Sequence, residues 1–144
     1  MIKVGHWIGQ YKFDKEVHQK MTGYDSTNFA IEITNVDNNN FFGKVQDDLT
    51  TGGTEGIGEI EGKVTGDIIE FVKQMPVMTL LVDKKGTRKT LNKKHRKIYY
   101  SGTFSSDGKS NSGQWRFKFG FIWFGLVPIP IIPTKGTWTI KLTE

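Results

Sequence analysis

Few side chains in this chain stand at spacings that could do chemistry. His6, His18 and His95 are isolated from one another, and there is no cysteine, so neither a thiolate metal site nor a disulfide can form. Glu59 and Glu61 stand two apart, which places both carboxylates on one face of a strand, but that face is the polar one, where carboxylates are solvated. Asp47 and Asp48 are adjacent, point to opposite faces and sit at a loop. The stretch GGTEGIG, residues 52–58, has the glycines of a phosphate cradle without the Lys-Ser/Thr pair of a P-loop, and it leads into a strand rather than a helix. There is no Gly-x-Ser-x-Gly elbow. Lys73 is the one ionisable residue in the central hairpin with inward parity, opposite Ile60, where a lysine snorkels from a barrel mouth or meets a ligand carboxylate. The sequence therefore assigns no catalytic residue, no metal and no cofactor, and points to binding rather than catalysis.

The elements that would position any site are organised around residues 57–75. Gly58, Ile60, Gly62, Val64 and Gly66 share one parity, and Glu59, Glu61, Lys63 and Thr65 the other, the pattern of a half-buried strand. A two-residue II′ turn at Gly66-Asp67 sets Val64 opposite Ile69, Gly62 opposite Phe71 and Lys63 opposite Glu70. Phe71 then covers the space a glycine leaves, opposite charges meet on the wet face, and a slip of one residue destroys every match.

The same alternation recurs along the chain. Trp7, Gly9, Tyr11 and Phe13 form the apolar face of a first strand, and residues 15–21 suit a short helix capped by Asp14. Phe29, Ile31 and Ile33 share a face with Phe41, Gly43 and Val45 only if the loop between them has an odd number of residues, with an Asn in the left-handed region. A weaker hairpin is expected around Lys85-Gly86. Asp107-Gly108 reads as a type I′ turn pairing Tyr100 with Trp115, Ile98 with Phe117 and Gly102 with Gly113. The last strand carries Trp138, Ile140 and Leu142 on one face. One domain is expected from 144 residues. Its predicted fold is an all-β, antiparallel up-and-down barrel of about eight to ten strands, the first and last strands paired, preferred over the alternative of a two-sheet sandwich since closure buries one curved apolar surface and removes exposed edges. In that pairing Trp7 and Trp138 are expected to approach each other.

Gly5-His6-Trp7 opens the first strand and Gly136-Thr137-Trp138 the last. A Gly-x-Trp at the start of such a barrel resembles the calycin superfamily of lipocalins, fatty-acid-binding proteins and avidins. The resemblance implies a ligand-carrying barrel. The second lipocalin signature, a Thr-Asp-Tyr type turn, and a biotin-contacting set are absent, so the family's ligands do not carry over.

Two functions follow as expectations. One is a non-catalytic module that holds an apolar or amphipathic small molecule among the inward residues Trp7, Tyr11, Phe29, Phe71, Tyr100, Trp115 and Trp138, with Lys73 meeting a carboxylate. The other is docking on an anionic membrane or acidic partner through two unusual stretches. Eight basic residues and no acidic one lie between Lys84 and Lys97, leaving 12 basic against 15 acidic residues elsewhere. Phe121–Pro133 carries no charge and is too short to span a bilayer, which takes about 20 residues. It suits a barrel-end plug, a homodimer interface or a lipid contact. Nucleic acid is disfavoured because Tyr99 alone of the tyrosines beside the basic run faces outward. The opening MIKVGHWIGQY reads as a strand, not a signal peptide, so a cytoplasmic location is expected.

Overall fold

The computed structural model describes residues 2–15, 23–81, 88–91, 97–117, 120–131 and 135–143. Twelve strands lie among them: β1 Gly5–Phe13, β2 Thr27–Asp37, β3 Asn40–Asp47, β4 Ile57–Thr65, β5 Ile68–Gln74, β6 Met78–Leu81, β7 Arg88–Leu91, β8 Ile98–Phe104, β9 Ser110–Phe117, β10 Gly120–Phe124, β11 Val127–Ile131 and β12 Lys135–Leu142. Eight of them close a purely antiparallel barrel in the order β1-β12-β9-β8-β5-β4-β3-β2, while β6-β7 and β10-β11 form separate two-stranded ribbons. This is an eight-stranded closed barrel consistent with the calycin-like architecture. Residues 16–21 of the helix expected at residues 15–21 lie outside the described residues, as does the turn between β6 and β7.

Strand pairing follows side-chain parity. In the central hairpin Val64 faces Ile69, Gly62 faces Phe71, Lys63 faces Glu70 and Ile60 faces Lys73, as the pattern requires. Gly66 is in the left-handed region and Asp67 is not, which matches a II′ turn. A Cβ on Gly62 would lie 2.5 Å from that of Phe71, so only glycine lets the ring lie across this strand. Gly136 performs the same service at the other side of the barrel: its missing Cβ leaves room for the Trp115 indole, whose Nε1 donates to the Lys12 carbonyl at 3.1 Å.

Two turns depart from expectation while the inward faces hold. Between β2 and β3 the turn has two residues, Asn38 at φ 55° and Asn39, and parity is restored by a bulge between Ile33 and Asn35. An extra residue inside a strand shifts faces as effectively as an odd loop. The β8–β9 register is the expected one, with Tyr100 opposite Trp115 and Gly102 opposite Gly113. Its loop is longer than a type I′ turn, however: Gly108 alone has positive φ, Ser105 N–H bonds the Ser110 carbonyl, and the Asp107 carboxylate accepts from the Lys109 N–H at 3.0 Å.

The first and last strands pair along seven residues, from Trp7 opposite Leu142 to Phe13 opposite Gly136. That register sets Trp138 opposite Tyr11, so Trp7 and Trp138 lie four positions apart along the seam, roughly 13 Å at about 3.4 Å per residue. The expected meeting of the two tryptophans is thus corrected. A chain ending at Lys135 loses this seam along with the burial of Trp138 and Ile140. At about 1.5–3 kcal/mol per large apolar side chain against a total of about 5–15 kcal/mol, it should lose its cooperative thermal transition or aggregate on size exclusion. A monomeric truncation with the parent melting temperature would refute the role given to the seam.

Candidate functional site

The connections divide the barrel into two unlike ends. Residues 38–39, 66–67 and 105–109 close one end with tight turns, together with the chain termini. All the long connections, 14–26, 48–56, 75–97 and 118–134, belong to the other end, and the two ribbons are part of the last two of these. Loops set on a rigid scaffold are where binding residues gather.

Just inside the long-loop end lies a buried ion pair. Lys73 Nζ is 2.5 Å from Asp47 Oδ1, and both side chains are 1% exposed. The other carboxylate oxygen of Asp47 accepts from the Tyr11 hydroxyl at 3.0 Å and from the Thr54 N–H at 3.1 Å. Lys73 Nζ also lies 4.7 Å from the Tyr11 ring centroid and 5.2 Å from that of Phe29. Buried Thr27 donates to the Thr51 carbonyl at 2.9 Å, tying the loop after β3 to the start of β2. The cluster thus joins β1, β2, β3, β5 and the 48–56 loop.

Lys73 is therefore not a snorkelling mouth residue; Asp47 already answers its charge. In the sequence Asp47 is masked as a site residue by its neighbour Asp48 and the loop that follows. The signal was there in parity: Phe41, Gly43, Val45 and Asp47 form one inward row, as Ile69, Phe71 and Lys73 do. Two lone inward charges of opposite sign are best placed against each other, since either alone would be buried unpaired.

The eight residues predicted to hold a ligand all turn inward, three of them meeting in one group, four in a second, and Trp7 lying toward the tight-turn end. Phe71 stacks on Tyr100 at 4.6 Å and meets Trp138 edge-on at 5.3 Å. Nearer the long-loop end, Tyr11 lies 5.6 Å from Phe29 and 6.1 Å from Trp115, with Lys73 above Tyr11 and Phe29. Trp7, fully buried, sits toward the tight-turn end, its indole N–H bonded to the Lys3 carbonyl at 3.1 Å. The Trp138 N–H is likewise met from the wall, by the Ser101 and Gln114 carbonyls. These rings belong to one core cluster, and the half-buried Tyr11, Phe13 and Phe117 meet Trp115 edge-on at the long-loop end.

A separate cleft of about 1120 Å³ lies on the outside of the barrel wall, lined mainly by outward residues of β3, β4, β5, β8 and β9, with Thr34 of β2 and Lys135 of β12. It does not include the buried pair. Among the described residues no group of three or more His, Cys, Asp or Glu side chains is placed to hold a metal ion. Comparison with protein-family models, curated proteins and solved structures finds no match.

Two predictions test the cluster. Asp47→Asn keeps an acceptor for Tyr11 and Thr54 but leaves Lys73 without a counter-charge. It should cost about 3–5 kcal/mol in urea unfolding, as should Lys73→Met, whereas the double variant should recover most of the loss. Single-variant losses below about 1 kcal/mol would show the pair to be unimportant to stability. The second concerns alkaline pH. Burial, then the Asp47 charge, raises the Tyr11 hydroxyl well above the ordinary phenol value, and the same two causes raise Tyr100. A raised phenol is stabilising below its unfolded pKa of about 10, and that contribution is lost as pH climbs from there toward the folded value. Stability should therefore fall above about pH 10, and Tyr11→Phe should flatten the fall. An unchanged slope in the variant would exclude Tyr11 as its source.

Proposed function

We propose that the protein is a non-catalytic, calycin-like barrel that docks on an anionic membrane surface through the two ribbons at its long-loop end. One observation carries this reading: Leu126, at the tip of the β10-β11 hairpin, is 95% exposed, and Val127 beside it is 60% exposed. Gly125, at φ 62°, turns the hairpin there. The twelve residues from Gly120 to Ile131 contain no charged side chain. An uncharged hairpin with a leucine held out at its turn has the form of an interfacial insert, because exposed apolar surface of this kind is stabilised by leaving water. Pro128 and Pro130, which face Trp123 and Phe121, remove ladder donors from β11 and so blunt its pairing with further strands.

The second signal is charge. β7 and its flanks carry the basic run from Lys84 to Lys97, inserted at the same end of the barrel. Cations near an anionic leaflet contribute about 1 kcal/mol each, and an apolar insert together with a basic patch provides the two signals that stable peripheral attachment needs.

A second reading rests on the half-buried Tyr11, Phe13 and Phe117 around Trp115, which offer an apolar or amphipathic small molecule a seat at the mouth. Since Lys73 is paired with Asp47, the end of such a ligand nearest the core is uncharged. Native mass spectrometry of the purified protein would reveal a retained molecule.

Docking is tested by co-sedimentation with phosphatidylcholine vesicles containing phosphatidylserine. Leu126→Asp should weaken binding about tenfold or more, because it forfeits about 1.5–3 kcal/mol of leucine burial and adds a charge at the tip. Raising the salt should weaken the parent protein further. Absence of sedimentation at low salt would remove the docking reading, and a change in oligomer size in the variant would instead assign the hairpin to a homodimer interface.

A further inference from the structure

Outward side chains line up across the wall of the barrel in hydrogen-bonded register. Val72 faces Tyr99, Tyr99 faces Arg116, and Arg116 faces Lys135. Lys97 precedes Tyr99 by two positions and so lies on the same face. All five line the outer cleft.

The two sides of that cleft differ in how their charges are met. On the acidic side Glu59 faces Lys44 in register, and Lys63 Nζ lies 4.0 Å from Glu70. At the basic corner like charges face each other. Directly opposed side chains have Cβ atoms about 4.5–5.5 Å apart and diagonal ones about 7–8 Å, so Arg116 has Lys135 across from it and Lys97 on the diagonal, an arrangement that repels. The carboxylates among the described lining residues are remote: Glu70 is two strands from Arg116, and Glu59 and Glu61 are three, roughly 10 and 14 Å at about 4.8 Å per strand. Asp14, whose N–H donates to the Lys135 carbonyl at 3.1 Å, is the neighbouring carboxylate just past the end of β1 and can answer one of the three charges. The Arg116 guanidinium is 6.0 Å from the Tyr99 ring centroid, a cation–π contact that holds the fork against the wall.

This corner is also where the ribbons are rooted. Lys97 follows the basic ribbon, Arg116 stands four residues before Gly120, and Lys135 stands four residues after Ile131. Four residues of extended chain reach about 14 Å, so a group bound here lies at the foot of the apolar hairpin. A planar guanidinium flanked by two ammonium groups matches a phosphomonoester, whose dianion presents three oxygens, better than a phosphodiester, which presents two and one charge.

We propose that Lys97, Arg116 and Lys135 form a binding site for the phosphomonoester headgroup of an anionic lipid, engaged while the β10-β11 hairpin enters the same membrane. The proposal rests on the docking reading, and the test separates the two. Vesicles of phosphatidylcholine carrying either phosphatidate or phosphatidylserine at matched surface charge are compared for the parent, Arg116→Gln/Lys135→Gln and Leu126→Asp, with melting temperatures confirming that all three fold. Substitutions at 116 and 135 are on exposed positions and leave the core untouched. The parent should bind phosphatidate vesicles at least fivefold more tightly than phosphatidylserine vesicles. The double glutamine variant should lose that preference while keeping hairpin-dependent binding, Arg116→Lys should fall between, and Leu126→Asp should weaken binding to both vesicles alike. Equal parental affinity for the two lipids, or a preference that survives in the double variant, would overturn the site. A third arm uses soluble dihexanoyl phosphatidate in calorimetric titration. Heat that depends on Arg116 and Lys135 without any vesicle binding would keep the phosphate site and discard membrane docking, and no heat with no binding to either vesicle would discard both.

Discussion

The pairing of β1 with β12 is the constraint on which the inward rows depend. Eight strands of seven to eleven residues enclose one interior only if the first and last meet, and an open sheet of the same strands would leave its curved apolar face half in water. Closure makes the interior narrow, and narrowness explains the glycines. Where a ring such as Phe71 or the Trp115 indole crosses the barrel, the facing position has no room for a Cβ. The Gly-x-Trp at 136–138 acquires a physical meaning in this way. Its glycine makes space for Trp115 and its tryptophan turns inward onto Phe71 and Tyr100.

Against that apolar interior the Asp47–Lys73 pair is the exception, and its position is informative. Removing two charges from water is expensive, and their attraction repays it only with good geometry and satisfied remaining valences. Here the second carboxylate oxygen is bonded to the Tyr11 hydroxyl and the Thr54 N–H. The pair therefore registers four strands and one loop against each other at the end where the long connections begin. At the opposite end Asn111, also buried, has neither side-chain polar atom hydrogen-bonded among the described residues, so polar satisfaction has been concentrated at the long-loop end.

That asymmetry frames the functional reading. Tight turns close one end of a rigid wall, and the other end supports two ribbons of contrasting character, one basic and one uncharged. A barrel whose rings pack along its axis is a firm mount for such ribbons. The outer wall beneath them carries the like-charged corner of Lys97, Arg116 and Lys135, so apolar and cationic surfaces occur within a few residues of each other on one end of the molecule.

The amino-acid sequence by itself determined strand existence, the inward and outward faces and two hairpin registers, because a period of two with glycine and aspartate turns leaves little freedom: a slip of one residue would expose every apolar side chain. It also named the inward rings and the single inward lysine. It did not decide how parity is restored between β2 and β3, since a bulge and an odd loop serve equally and differ only in how the twisted wall accommodates the extra residue. Nor did it decide the stagger of β1 against β12, which parts Trp7 from Trp138, because those strands are joined by no turn and their offset is set by closing the whole barrel. The partner of Lys73 lies 26 residues away in the chain, and only closure of β3, β4 and β5 into one wall brings Asp47 to it. Local chemistry chose the faces; the distance between non-local charges and rings was a property of the closed barrel alone.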